Sequence, residues 1–335
     1  MAYTAINNPE LYFQVKTYTG DGSTPSITLG GNKDMQPDLV WIKNSDQTDS
    51  HCLFDSVRTA TEVIHSDATT AETTDADTLT SFDSDGFALG ADVKVNTNTE
   101  KYAAWCWKES ATSGFDIVSY TGNATDDTDI SHNLSAVPKM IIVKNRDTAA
   151  TSWIVYHHRL SDSPEENGLY LNTGNPIIDT TTYWSDEAPT SSVFTLGTNN
   201  DVNDDTKNMI AYAWSEKQGF SKFGSWLGNG STDGPFIYTG FRPAWILYKR
   251  TTDATEGWIL QDNKISPINV SHIFLAPNGN GADSDTANAN LDFLSNGFKL
   301  RHDDTRGNTS GITYIYAAFA EAPFVNSNGV PCNAR

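Results

Sequence analysis

The chain has 335 residues, with 22 Lys and Arg against 42 Asp and Glu, a formal net charge of -20 and a sequence pI near 4.5. Phosphate neutralisation needs clustered cations, so this balance excludes an electrostatic nucleic-acid binder and disfavours an anionic membrane surface. The length predicts two or three domains, and three cysteines with no CxxC spacing exclude a disulfide framework and leave a zinc site unsupported.

The opening arm, residues 1–13, begins MAYTAINNPE, with neither the basic start nor the apolar run of a secretory signal. No later run reaches the length of a membrane helix, so no membrane insertion is expected. From residue 14 short apolar blocks alternate with Gly-, Asn-, Asp- and Ser-rich turns, the pattern of strands joined by hairpins. They are YTG (18–20), PDLVWIK (37–43), HCLF (51–54), GFALG (86–90) and AAWCWKE (103–109). VRTATEVIH (57–65) has room for one helical turn.

The blocks then recur in the same order. YTG returns at 120–122 and, altered, as WLG at 226–228; PKMIIVK (138–144) and PAWILYK (243–249) follow at offsets of 101 and 105. SWIV (152–155) and GWIL (257–260) follow at the same offsets, then VFTLG (193–197) and GFKLR (297–301), and IAYAWSE (210–216) and IYAAFAE (315–321). The chain is therefore expected to be all-β, with three tandem antiparallel β-sandwich domains at 14–110, 111–219 and 220–325, and a polar C-terminal tail at 326–335. At about 100 residues each copy is long enough to own a core.

Recurrence also sorts the reactive residues. Period-two alternation puts Cys106 where the other copies hold Ala213 and Ala318, a packing slot in which free cysteine acts as a small hydrophobe. Cys52 aligns with Trp153 and Trp258 and also reads as core. Lys43, Lys144 and Lys249, and Glu109, Glu216 and Glu321, recur at strand ends, as end-of-strand ion pairs or snorkelling stems do. His157 and His158 point to opposite faces and lack metal spacing, and the adjacent Glu165 and Glu166 form no facing carboxyl pair, so no catalytic residue and no metal ligand is assigned. DSDGF (83–87) and DVNDDT (201–206) fail as EF-hand loops, leaving no cofactor beyond an irregular surface calcium site. Tyr183 and Trp184 break the repeat in a polar loop and are the ligand-binding candidates, as a sugar-stacking pair.

The blocks YTGDGS, PDLVWIKN, LFDSVR, SFDSDGFALG and YAAWCWKES, with the closing YIYAAFAEAPFV, resemble a signature of virion proteins of marine tailed bacteriophages. The resemblance covers nearly the whole chain. It implies a non-enzymatic structural or appendage protein, tail-fibre-like or on the capsid, at the virion surface. Implied partners are other virion proteins, further copies of the chain as a homotrimer, and a host surface glycan.

Overall fold

The computed structural model describes residues 3–252 and 256–332, and they are nearly all β, in several antiparallel sheets. The α-helices are single turns, Val93–Asn96 and Asn200–Asn203. In VRTATEVIH the expected helical turn gives way to a hydrogen-bonded turn and the strand Glu62–His65.

Each closing block forms a strand paired on both edges and covered on both faces, which is why it reads as a nearly unbroken apolar run. Lys101–Trp107 lies between Phe13–Thr19 and Leu39–Asn44, and Cys52–Asp55 follows. Asn208–Trp214 lies between Phe115–Thr121 and Met140–Asn145, followed by Ile154–His157. Thr313–Pro323 lies between Ser221–Leu227 and Phe241–Arg250, followed by Ile259–Asp262. Corresponding positions follow from the pairing. Trp107 stands opposite Phe13 and Leu39, Trp214 opposite Phe115 and Met140, and Phe319 opposite Ser221 and Trp245.

A small sheet accompanies each large one: Ser26–Thr28 with Gly86–Leu89 and Leu79–Asp83, Thr128–Ser131 with Val193–Leu196, and Phe236–Tyr238 with Gly297–Leu300 and Leu291–Leu294. In the first sheet Tyr102, Ala104 and Cys106 pack outward with Phe87 and Leu89, and in the second Met209, Ala211 and Ala213 pack with Phe194 and Leu196. The opposite faces do not form separate cores. Trp105, Trp107, Tyr212, Trp214, Ala317 and Phe319 belong to one buried cluster drawn from all three large sheets. Trp107 lies 6.3 Å from Trp214, 5.5 Å from Trp245 and 5.6 Å from Phe319 between ring centroids. The void among them, about 10 Å³, is at the lower limit for one water.

Buried polar groups tie the three large sheets into a ring. Tyr212 Oη donates to Asp55 at 2.7 Å, His157 Nε2 to the Tyr316 carbonyl at 3.0 Å, and Trp105 Nε1 to Asp262 at 3.0 Å. Thus first meets second, second meets third, and third meets first. Trp153 Nε1 donates to the His65 carbonyl and Trp258 Nε1 to the Tyr170 carbonyl, repeating the step. The arm also folds onto the body: the Ala5 N–H donates to the Gln218 carbonyl, and the Tyr12 ring meets Phe220 edge-on.

Two local readings are corrected. Ile42 pairs with Cys52, Val143 with Ile154 and Tyr248 with Ile259, so Cys52 corresponds to Ile154 and Ile259, while His51 occupies the place of Trp153 and Trp258. The recurrent lysines do not snorkel, and among the described residues Lys43 and Lys144 form no ion pair. All three are fully buried, and their ammonium groups cap loop carbonyls: Gln47 for Lys43, Thr151 for Lys144, Glu256 and Gly174 for Lys249. Burial pulls Lys43 and Lys144 down to about 8.

Candidate functional site

Tyr183 and Trp184 do not face solvent. They are 2% and 1% exposed and belong to the outer core of the second sheet. Trp184 Nε1 donates to the Asn167 carbonyl at 3.0 Å and its ring meets Tyr156 edge-on, while Tyr183 Oη donates to Tyr170 Oη. Gly168 makes the room, because a Cβ there would stand 2.8 Å from the Tyr183 ring. Polar neighbours in the sequence conceal an aromatic pair that packs inward, and neither ring offers a free face to a sugar.

The other tempting residues are engaged in the fold. Burial lowers His157 to about 3, and both His157 and His158 donate from Nε2 to backbone carbonyls of the third sheet, at Tyr316 and Phe223. Burial pushes the Cys52 and Cys106 thiols up, away from thiolate chemistry. Glu165 and Glu166 sit on the 3₁₀ turn Pro164–Glu166. In the acidic loops, Asp85 accepts from the Gly30 and Met35 N–H groups and Asp201 from the Ser152 N–H. Among the described residues no three His, Cys, Asp or Glu side chains gather as a metal-binding group.

One recurrent set escapes block alignment: Asn96, Asn203 and Asn308, all fully buried. Each Oδ1 accepts the N–H of a turn residue, at Asp21, Asn123 and Asn229. Each Nδ2 donates to two carbonyls, Gly90 and Ser23, Gly197 and Thr125, or His302 and Ser231. Their offsets of 107 and 105 match those of the closing blocks, a signal present in the sequence but carried by single polar residues. They pin the turn after each first strand, a buried polar network with its hydrogen bonds made.

The open surface most suited to a ligand lies between the second and third sheets, beside the arm. A cavity of about 200 Å³ is lined by Tyr3, Tyr238, Gln218, Thr239, Glu216 and Lys222, among others. A second, about 450 Å³, is lined by Lys139, His158, Arg159, Tyr316, Glu216 and Lys222, among others. The Glu216–Lys222 ion pair, 2.7 Å, belongs to both walls. Tyr3 and Tyr238 are each 60% exposed. Among the described residues, Lys139 and Arg159 form no ion pair, and Glu216 is the one carboxylate lining either cavity.

Fold and site together define a β-rich protein whose open surface is a polar, aromatic-edged groove. The chain belongs to the family described as a domain of unknown function, DUF7483, whose profile matches residues 8–323. No curated protein and no solved structure matches it.

Proposed function

We propose that this chain is a non-enzymatic structural protein of a phage particle, a tail-fibre-like or particle-surface component serving assembly and host attachment. Within it we propose three tandem β-sandwich repeats, 14–110, 111–219 and 220–325, related by internal repeat. The observation that carries the reading is where the resembling blocks fall. PDLVWIK and YAAWCWK, with their counterparts, contribute the second-block and closing strands of the large sheets, so the signature is spent mainly on folding; its first-repeat blocks line neither cavity of the groove, and only a few residues of the later copies, such as Lys139, Glu216 and Tyr316, border it. A signature of that kind suits a virion building block better than an enzyme.

Mass spectrometry of purified particles from a phage encoding this chain tests the proposal. Stoichiometric presence is expected, and absence from particles made while the chain is expressed sinks it. A homotrimer is part of the same reading. The ring of three large sheets inside one chain favours a monomer as its rival, since the aromatic faces of those sheets are already covered by one another. Light scattering on the purified chain separates the two by mass.

A further inference from the structure

The three seams between large sheets supply an internal control. The backbone step is the same at each: His158 N–H donates to the Lys139 carbonyl, Ser56 N–H to the Asp38 carbonyl, and Asn263 N–H to the Ala244 carbonyl, at 2.8 to 3.0 Å. Facing strands also correspond, with Lys222 opposite Ala318, Asp116 opposite Ala213 and Gln14 opposite Cys106. Side chains on this common frame differ in charge. Where the second seam carries Lys139, His158, Arg159 and Lys222, the first carries Asp38, Ser56, Val57 and Asp116. The third carries Ala244, Asn263, Lys264 and Gln14. The frame closes with two aspartates and no cation among these positions at the first seam and with a single lysine at the third, so closing it does not require the cations of the second seam.

That seam is also where Tyr3 and Tyr238 stand exposed across the Glu216–Lys222 pair. A tyrosine ring presents an apolar face with a polar tip, suited to the alternating C–H and hydroxyl faces of a sugar. Unpaired Arg and Lys beside it suit a carboxylate, Arg with a planar fork and Lys as a point charge. The net charge of -20 opposes an anion at long range, but at physiological salt that field is screened beyond about 8 Å and the nearby cations dominate. Cleavage of a glycosidic bond ordinarily takes two positioned carboxyl groups, and among the described residues Glu216 is the one carboxylate lining these cavities.

We propose that this groove binds an acidic oligosaccharide containing uronic acids, with Tyr3 and Tyr238 stacking on sugar faces and Lys139 and Arg159 pairing with its carboxylates. The inference rests on the host-attachment part of the proposed function and names the ligand class for it.

The test is calorimetric titration of the full chain with hexagalacturonate, and with cellohexaose as a neutral hexamer. Arg159→Val and Lys139→Ala install the residues found at Val57 and Ala244, which the same backbone already accepts. Tyr238→Ala removes one ring, and Lys33→Ala removes an exposed charge that lines neither cavity. The expected result is saturable binding of the acidic hexamer, about tenfold weaker in each of the three groove variants, weakened by added salt, unchanged in Lys33→Ala, and stronger than binding of the neutral hexamer. Absence of hexagalacturonate binding, equal affinity for cellohexaose, or equal loss in Lys33→Ala overturns the site. The two failures stay separable: a chain found in particles that binds no uronate sinks the site alone, and a chain that binds uronate but is missing from particles sinks the virion reading alone.

Discussion

At the seam between the first and second sheets, Asp38 accepts the Glu109 N–H and the Ser56 hydroxyl, and buried Asp116 accepts the Asn133 N–H. At the matching place between the second and third sheets, Lys139 and Lys222 border an open groove. The backbone is shared and the chemistry is reversed. Side chains that recur, such as the asparagines and the central aromatics, hold the frame; those that differ between seams are free to serve the surface.

The comparison breaks most severely at a recurrent position. Trp107→Ala empties the middle of the shared core and is expected to cost about 3–5 kcal/mol in denaturant unfolding, as large aromatic truncations do. A loss below 1 kcal/mol would mean the sheets do not depend on a common core. Asn308→Ala orphans the Asn229 N–H and two carbonyls, with an expected loss of about 2–3 kcal/mol, and Asn96→Ala and Asn203→Ala should match it. A large spread among the three would deny that the sites are equivalent.

Glu109 sharpens the acidic side of the comparison. Burial, then the hydrogen bond and charge of Asp116, push its carboxyl up from 4.5 to about 7. The folded state therefore holds this proton more tightly than the unfolded chain. Its contribution is fully present below pH 4.5 and is lost as pH rises through about 7. Melting temperatures of the wild type and Glu109→Gln, followed from pH 4.5 to 8, should diverge, with the wild type falling more steeply; parallel curves would remove the effect. The smallest change is expected at the basic seam, where Arg159→Val and Lys139→Ala should each leave stability within about 0.5 kcal/mol. Unfolding in either variant would show that the cations are structural.

Much of the strand content was legible because alternation and recurrence are local. Ala213 and Ala318 identified the Cys106 slot as alanine-sized. The alignment of Cys52 slipped by one residue because the connection before His51 differs in length from its counterparts, and only strand pairing reveals which residue faces Ile42. Tyr183 and Trp184 misled for a related reason. The polar loop that carries them says nothing of the space left by Gly168, which lies on the strand Asn167–Tyr170.

By itself the sequence determined that the chain is nearly all β, where the recurrent block strands fall, and which residues recur in step with them, since period-two alternation and turn chemistry act between near neighbours. Tertiary structure decided that the three aromatic faces meet one another, that the recurrent lysines are buried, and that residues 139 and 158–159 meet 222–225 in one groove. Alternation reports that a face is buried without reporting what covers it, because the covering strand lies many residues away and is chosen by the packing of the whole chain.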